Sequence, residues 1–261
     1  MTGERPILTT IDDGLATIAL VNPSGANAMT PHWGECFLAD IDRIAADDSV
    51  RVVLLRAEGR AFCVGGDLAS FGGTDDPKSL IWNLAQNLHA GMQQLAALDA
   101  PLVASVQGAA AGAGMSLVCA ADLAIASESA SFTAAYTAAG LSPDGGMSWT
   151  LPRLVGERRA AEMLLTNRRV AGAEAAEIGL VNACVADDAL VDHTAAVVGT
   201  LLRGSRTSFG VTRRLLRSSA SNTIEAQMAL EAEGIAGLAG GPGGREGISA
   251  FLEKRRPAFP V

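Results

Sequence analysis

Short apolar runs alternate along the chain with longer segments in which apolar residues recur at helical spacing. Residues 7–11 and 15–20 flank Asp13-Gly14, a pattern typical of two strands joined by a tight hairpin. Two strongly apolar runs, at residues 52–55 and 102–106, predict buried strands. Strands that alternate with helices in this way indicate an α/β fold.

Helices are predicted where capping residues precede a periodic apolar pattern. Thr30-Pro31 offers a threonine N-cap followed by a proline at the first helical position. A long helix is expected over residues 78–98, and a short buried helix over 114–121 leads into a strand at 122–127. Glycine and aspartate residues between positions 71 and 77 indicate a loop.

The length and the charge of the chain limit its class and its partners. With 261 residues, of which 49% are hydrophobic, it fits one large domain or one domain with a helical appendage. Its formal net charge of −8 disfavours nucleic acid and anionic membranes, so neither partner is expected. The sequence has neither an apolar leader nor a run of about 18 apolar residues, which predicts a cytoplasmic protein.

The arginine and cysteine residues suggest mostly structural roles. The arginines between positions 203 and 217 are expected to form a solvated helix face, with a local phosphate site as the alternative. The four cysteines have neither disulfide-type nor zinc-type spacing and are expected to be small buried side chains, with a nucleophilic Cys63 as the alternative. No cluster of histidine, cysteine and carboxylate residues has ligand spacing, so no metal is predicted.

Two glycine-rich turns are the strongest chemical signal in the sequence. Residues 60–68 read Arg-Ala-Phe-Cys-Val-Gly-Gly-Asp-Leu, and residues 107–115 read Gln-Gly-Ala-Ala-Ala-Gly-Ala-Gly-Met. Each turn follows an apolar run and precedes a predicted helix, so its backbone N–H groups lie where negative charge is favoured. Two such turns facing each other could hold one developing oxyanion. The alternative is that both are ordinary tight connections between a strand and a helix.

These two segments resemble the oxyanion turns of the crotonase (enoyl-CoA hydratase/isomerase) superfamily. The resemblance runs from Asn22-Pro23 and Asn27-Ala28-Met29 to residues 246–257, almost the whole chain. It implies an α/β fold in which repeated ββα units form a spiral, followed by a helical C-terminal region that packs subunits into trimers. We therefore expect a core over residues 1–200, a helical region over 201–261, and a homotrimer or a hexamer made of two trimers.

The family's shared chemistry implies an acyl-CoA substrate whose thioester oxygen is held by two backbone N–H groups. By matching position, the donors are those of Gly66 and Ala113. Coenzyme A, carried as the substrate thioester, is the only cofactor implied, and its phosphates are expected to meet Arg56, Arg60 or the basic run at 254–256. The residues that match the CoA-binding edge are Ala26, Ala28, Val64, Gly65, Gly66, Asp67 and Leu68.

The acid–base residues depart from the hydratase pattern of this family. Ser116 and Tyr136 occupy the two positions at which the resemblance implies hydratase glutamates. Asp144 resembles the carboxylate of the branches that use one aspartate, namely certain double-bond isomerases and 4-chlorobenzoyl-CoA dehalogenase, and His89 matches the dehalogenase's catalytic histidine. The alternatives are a turn aspartate and a structural histidine. Tyr136 could bond a substrate or a carboxylate or line the acyl pocket, whereas core packing is favoured for Trp82.

The leading hypothesis is an acyl-CoA enzyme that shifts a double bond. In it, Asp144 removes a proton from an unsaturated acyl-CoA and returns it at another carbon, while two N–H groups hold the enolate oxygen. The first alternative is dehalogenase-like hydrolysis, in which Asp144 attacks an aroyl-CoA and His89 activates water. Hydration by an atypical site and non-catalytic binding of acyl-CoA are further alternatives.

Overall fold

The computed structural model describes residues 5–260, whose strands form two β-sheets. The strands of this part of the chain are β1 (Ile7–Asp12), β2 (Leu15–Leu20), β3 (Val52–Ala57), β4 (Ala61–Cys63), β5 (Leu102–Val106), β6 (Ala109–Ala111), β7 (Leu123–Ser127), β8 (Ser131–Thr133), β9 (Val170–Ala171) and β10 (Ala183–Val185). The larger sheet has the order β1-β2-β3-β5-β7-β10, and the smaller sheet has the order β4-β6-β8-β9. β1 and β2 pair antiparallel across Asp13-Gly14, whereas β2, β3, β5, β7 and β10 run parallel.

A strand of the larger sheet, a short strand of the smaller sheet and a helical segment follow one another repeatedly along the chain. The helices are α1 (Pro31–Ala45), α2 (Leu68–Gly72), α3 (Pro77–Ala97), α4 (Ala113–Ala120), α5 (Met147–Val155), α6 (Glu157–Thr166), α7 (Gly172–Glu177), α8 (Leu190–Leu202), α9 (Arg206–Ser218), α10 (Ile224–Gly240) and α11 (Pro242–Leu252). β3 and β4 lead into α2 and α3, β5 and β6 lead into α4, and β7 and β8 lead into α5. The predicted spiral of ββα units is therefore confirmed.

The local predictions are confirmed for the hairpin, the capped first helix and the long helix. The strand prediction and the loop predicted over residues 71–77 were incomplete. Thr30 is the N-cap of α1 and its hydroxyl accepts a hydrogen bond from the Trp33 N–H. The three-residue strands β4 and β6 lie inside the two segments predicted as glycine turns, residues 60–68 and 107–115, and periodicity gave no sign of them because they are so short. α2 takes up the start of the loop predicted over residues 71–77.

The main core gathers side chains from both sheets and from α1, α3 and α4. Trp33 and Phe37 of α1 are fully buried and stack with their ring centroids 4.9 Å apart. Gly91 lets α3 lie close against this pair, because a Cβ at that position would be 2.6 Å from the Phe37 ring. The close packing of α1 against α3 fixes the helix that carries His89.

The C-terminal region is helical, as the resemblance implied, and consists of α9, α10 and α11 after α8. The basic residues of α9 are not all solvated: Arg213 is 6% exposed, so the prediction was wrong for this residue. Its guanidinium group bonds to Asp122 and to main-chain carbonyls, partners that the sequence does not reveal. The predicted boundary at residue 200 falls within α8, and this division of the chain stays a prediction. Across residues 5–260, no helix combines the length and the apolar character needed to cross a bilayer.

Candidate functional site

A cavity of about 830 Å³ opens between the two glycine turns, α3 and the loop that follows β8. All five residues predicted to be catalytic line it: Gly66, His89, Ala113, Tyr136 and Asp144. The rest of its wall is mainly apolar and comes from α2, α3 and the segment after Tyr136. A concave apolar pocket with a few convergent polar groups is typical of a small-molecule site.

The two glycine turns contact each other at one end of this cavity. A Cβ placed on Gly65 would lie 2.8 Å from the Ala111 carbonyl oxygen and 3.1 Å from the Ala113 nitrogen, so this approach requires glycine. Gly65 also has a φ of +87°, a conformation that glycine adopts without strain. Gly112, with a φ of +50°, forms the second turn and is the N-cap of α4. Ala113 is therefore the first residue of a helix.

The N–H groups of Gly66 and Ala113 are available to a ligand. Within residues 5–260, neither N–H donates a hydrogen bond to a backbone or side-chain acceptor. For Ala113 the reason is general, because the first N–H groups of an α-helix have no partner inside the helix. Both residues line the cavity, so the arrangement can accept an anionic oxygen.

His89 and Asp144 form a pair in the same cavity. The Nε2 atom of His89 lies 2.6 Å from Oδ1 of Asp144, so the imidazole N–H can donate to the carboxylate. The two side chains are 37% and 33% exposed, which leaves each accessible from the cavity. The sequence left open whether these residues share one cavity, since they come from α3 and from the loop before α5, 55 positions apart.

Ser116 and Tyr136, which occupy the positions that the resemblance matches to hydratase glutamates, contact each other through their hydroxyl groups. Ser116 Oγ lies 2.9 Å from the Tyr136 hydroxyl and 2.8 Å from the Asp144 main-chain oxygen. The Tyr136 hydroxyl is 3.2 Å from the same carbonyl oxygen. Burial raises the pKa of Tyr136 well above its usual value, so its phenol stays protonated and can donate. Tyr136 therefore contacts the backbone of Asp144, and its ring lines the cavity.

The predicted CoA-binding edge lies only partly on the cavity surface. Ala28, Val64, Gly66, Asp67 and Leu68 line the cavity. Ala26 and Gly65 do not line it; the Ala26 carbonyl instead accepts a hydrogen bond from the Val64 N–H at 3.3 Å, which ties the edge to the first turn.

Arg56 and Arg60 do not border the cavity, whereas Lys78, which was not predicted, does. Lys78 lies in the first turn of α3, and nothing in the sequence pattern distinguishes it from other surface lysines.

Two aromatic residues that line the cavity were not expected there. Trp82 is 64% exposed and lines the cavity, so the favoured role in core packing was wrong. The ring of Phe71 lies against the first glycine turn, because a Cβ on Gly66 would be 2.6 Å from its Cζ atom. Phe71 lies in the segment that was predicted to be a loop, which is why its position next to the turn was missed.

Cys63 lies behind the first turn and does not border the cavity. It is fully buried, its Sγ donates to the Asn27 carbonyl at 3.1 Å, and desolvation raises the pKa of its thiol to about 12. A thiol with that pKa is almost entirely un-ionised at neutral pH and is a poor nucleophile. The arrangement opposes the nucleophilic alternative and agrees with a small buried side chain.

Comparison with known proteins identifies the family of this chain. The family model described as enoyl-CoA hydratase/isomerase matches residues 10–260. The chain belongs to the enoyl-CoA hydratase/isomerase family. It is 38% identical over 249 residues to a Rhodobacter capsulatus protein named probable enoyl-CoA hydratase, and the match covers 95% of each chain.

Two further relatives of this enoyl-CoA hydratase/isomerase family member are an isomerase and a hydratase. The 1,2-epoxyphenylacetyl-CoA isomerase of Escherichia coli K12 is 32% identical over 256 residues, with 97% of each chain covered. The crystal structure of an enoyl-CoA hydratase from Mycobacterium smegmatis matches with a TM-score of 0.91 and 33% identity, over 98% of this chain and 99% of that chain. The protein is therefore an acyl-CoA enzyme of the crotonase superfamily, and the family includes both hydratases and isomerases.

Proposed function

We propose that this enzyme shifts a carbon–carbon double bond within an unsaturated acyl-CoA, with Asp144 as the acid and base. In a 3-enoyl-CoA, Asp144 takes a proton from the carbon next to the thioester carbonyl, and the electron pair moves into a dienolate. The same carboxyl group then returns the proton two carbons further along, which yields the conjugated 2-enoyl-CoA without change of mass. One carboxylate suffices for both transfers.

The observation that carries this proposal is the set of groups around one cavity. Asp144 and the free N–H groups of Gly66 and Ala113 border the same space, so a base and two oxyanion donors can act on one thioester. Asp67 is the other carboxylate in the wall, but it accepts hydrogen bonds from Ala69 and Ser70 as the N-cap of α2. Asp144 is thus the lining carboxylate that is free of a capping role.

Hydration is the less favoured reaction because the two positions that the resemblance matches to hydratase glutamates carry no carboxylate. Ser116 and Tyr136 supply hydroxyl groups at the two positions concerned, and both are engaged with the Asp144 main chain. The apolar wall of the cavity, which includes Trp82, suits an apolar acyl group.

The test compares the protein with its Asp144→Asn variant on a 3-enoyl-CoA, followed by ultraviolet absorbance and mass spectrometry. We expect the wild type to form the conjugated thioester at unchanged mass, and the variant to lose about 10³-fold or more in turnover. Binding of a saturated acyl-CoA, measured by calorimetry, serves as the control and should persist in the variant. A variant that keeps more than a tenth of the wild-type turnover would refute the role of Asp144, and a gain of one water in the product would identify hydration instead.

The contact between His89 and Asp144 supports a second candidate, dehalogenase-like hydrolysis of an aroyl-CoA. Asp144 would attack the ring carbon that bears the halogen, chloride would leave, and water activated by His89 would cleave the resulting aryl ester. The experiment gives 4-chlorobenzoyl-CoA to the same preparations and measures chloride. The His89→Ala variant separates the two candidates, because it should abolish ester cleavage but retain a double-bond shift that depends on Asp144 alone.

A further inference from the structure

The hydroxyl groups of Ser116 and Tyr136 occupy a position from which they hold the loop that carries Asp144. Ser116 is fully buried in α4, and it does not line the cavity. Both hydroxyl oxygens lie within hydrogen-bond distance of the Asp144 carbonyl, at 2.8 and 3.2 Å, and 2.9 Å from each other. The three atoms therefore form a closed triangle between a helix, the segment after β8 and the loop before α5.

The carbonyl and the two hydroxyl groups of this triangle satisfy one another's hydrogen-bonding capacity. The Asp144 carbonyl has two lone pairs, and the Met147 N–H already donates to it at 3.2 Å. One hydroxyl hydrogen takes the second lone pair, and the other hydrogen is donated to the neighbouring hydroxyl oxygen. Either hydroxyl can make the bond to Asp144, because both lie within reach. Each residue can therefore replace the other as the direct donor.

The same contacts connect Asp144 to the second glycine turn. Ser116 is three residues after Ala113 in α4, and its N–H donates to the Gly112 carbonyl at 3.1 Å. Gly145, next to Asp144, lies so close to α4 that a Cβ there would be 2.8 Å from the Ser116 Cβ. Hydrogen bonds and close packing thus connect the loop, the serine and the first turn of the helix.

We propose that Ser116 and Tyr136 are positioning residues that fix the Asp144 carboxylate relative to the oxyanion donor at Ala113. The inference rests on the proposed function of Asp144 and extends it, because it assigns a task to the two residues at the hydratase glutamate positions. A base and an oxyanion donor act together only when their separation is held within a fraction of an ångström. The shared hydroxyl pair provides that restraint without adding a second charge.

The test is a cycle of Ser116→Ala, Tyr136→Phe and the double variant, assayed on a 3-enoyl-CoA. In each single variant the remaining hydroxyl still donates to Asp144, so kcat should fall only about threefold, the effect of one weak neutral hydrogen bond. The double variant should lose about 100-fold in kcat, more than the product of the single effects, with KM within about threefold of wild type. Equal kcat in wild type and double variant, or a change confined to KM, would overturn the proposal.

A matched control comes from another buried hydroxyl pair, Ser105 and Thr194, whose oxygens are 3.1 Å apart and which do not line the cavity. Ser105→Ala also removes one buried hydrogen bond, and its kcat should stay within about twofold of wild type. A loss equal to that of the double variant would mean that general destabilisation, rather than positioning, lowers the rate.

Amide hydrogen exchange provides a readout that does not depend on turnover. Loss of both hydroxyl groups should speed exchange in residues 144–148, which include the Met147 N–H, while exchange in α1 stays unchanged. If the wild type does not convert the 3-enoyl-CoA, the proposed function fails, and the exchange result still decides whether the pair holds the loop. If the double variant does not fold, the single variants decide, because unchanged exchange and kcat in both would refute the positioning role.

Discussion

Replacing Arg213 by alanine should remove a large part of the stability that joins α9 to the core. Its Nε atom lies 2.8 Å from Oδ2 of Asp122, its Nη2 donates to the Leu95 carbonyl at 3.0 Å, and its Nη1 donates to the Leu98 carbonyl. Arg213 is 6% exposed, so its removal leaves two carbonyl groups at the end of α3 without this donor and Asp122 without its nearest cation.

The expected loss follows from the burial of these groups. Breaking a buried ion pair by removing one partner destabilises a protein by about 3–5 kcal/mol. Asp122 is 24% exposed, and it keeps the Leu102 N–H at 2.7 Å and Arg217 at 3.5 Å, so the lower limit of that range, about 3 kcal/mol, applies here. The neighbouring Arg214 is 58% exposed and pairs with Asp99 at the surface, so Arg214→Ala should lose less than about 1 kcal/mol.

The measurement is urea unfolding of wild type, Arg213→Ala and Arg214→Ala at one protein concentration, followed by circular dichroism. Fixed concentration matters because any association of subunits adds to the apparent free energy of unfolding. The two variants carry the same substitution at neighbouring positions of one helix, so helix propensity contributes about equally to both. A difference between them of less than about 1 kcal/mol would refute the conclusion that burial makes the Arg213 contacts strong.

Two further predictions concern the loop before α5 and the first glycine turn. Gly145 and Gly146 both have positive φ, +60° and +73°, but only a Cβ at Gly145 would contact another residue. We therefore expect Gly145→Ala to lower kcat about tenfold more than Gly146→Ala does. That difference corresponds to about 1–3 kcal/mol of overpacking. Equal rates in the two variants would show that the contact with α4 does not control the site. The thiol of Cys63, with a pKa of about 12, should resist a thiol reagent at pH 8, whereas the partly exposed Cys184 should react. Peptide mass mapping after labelling distinguishes the two cysteines. Modification of Cys63 in the folded protein would contradict its burial.

Local sequence signals predicted much of the secondary structure and the place of the oxyanion turns. The hairpin at Asp13-Gly14 and the cap at Thr30 depend on neighbouring residues, so the sequence alone reveals them. The glycine turns were visible for the same reason, because small residues follow apolar runs at both places. The strands β4 and β6 were not, since three residues are too few to show a period.

Contacts between distant residues could not be predicted from the same signals. The resemblance placed His89 and Asp144 among the candidates, but their 2.6 Å contact depends on how α3 packs beside the loop before α5. The burial of Arg213 was hidden because two of its partners are main-chain carbonyls, which every residue type carries. Trp82 looked like a core residue because composition does not show which face of α3 borders a cavity.

The geometry around Asp144 also explains why Ser116 and Tyr136 depart from the hydratase pattern together. A carboxylate is acceptor-only when ionised, so a glutamate at either position would place an acceptor close to the Asp144 carbonyl oxygen, which is itself an acceptor. It would also add a like charge beside the Asp144 side chain. Hydroxyl groups avoid both conflicts, because they donate to the carbonyl and are neutral. Under the proposed function, the three residues form one interdependent arrangement in which a single carboxylate acts and the two hydroxyl groups hold its backbone in place.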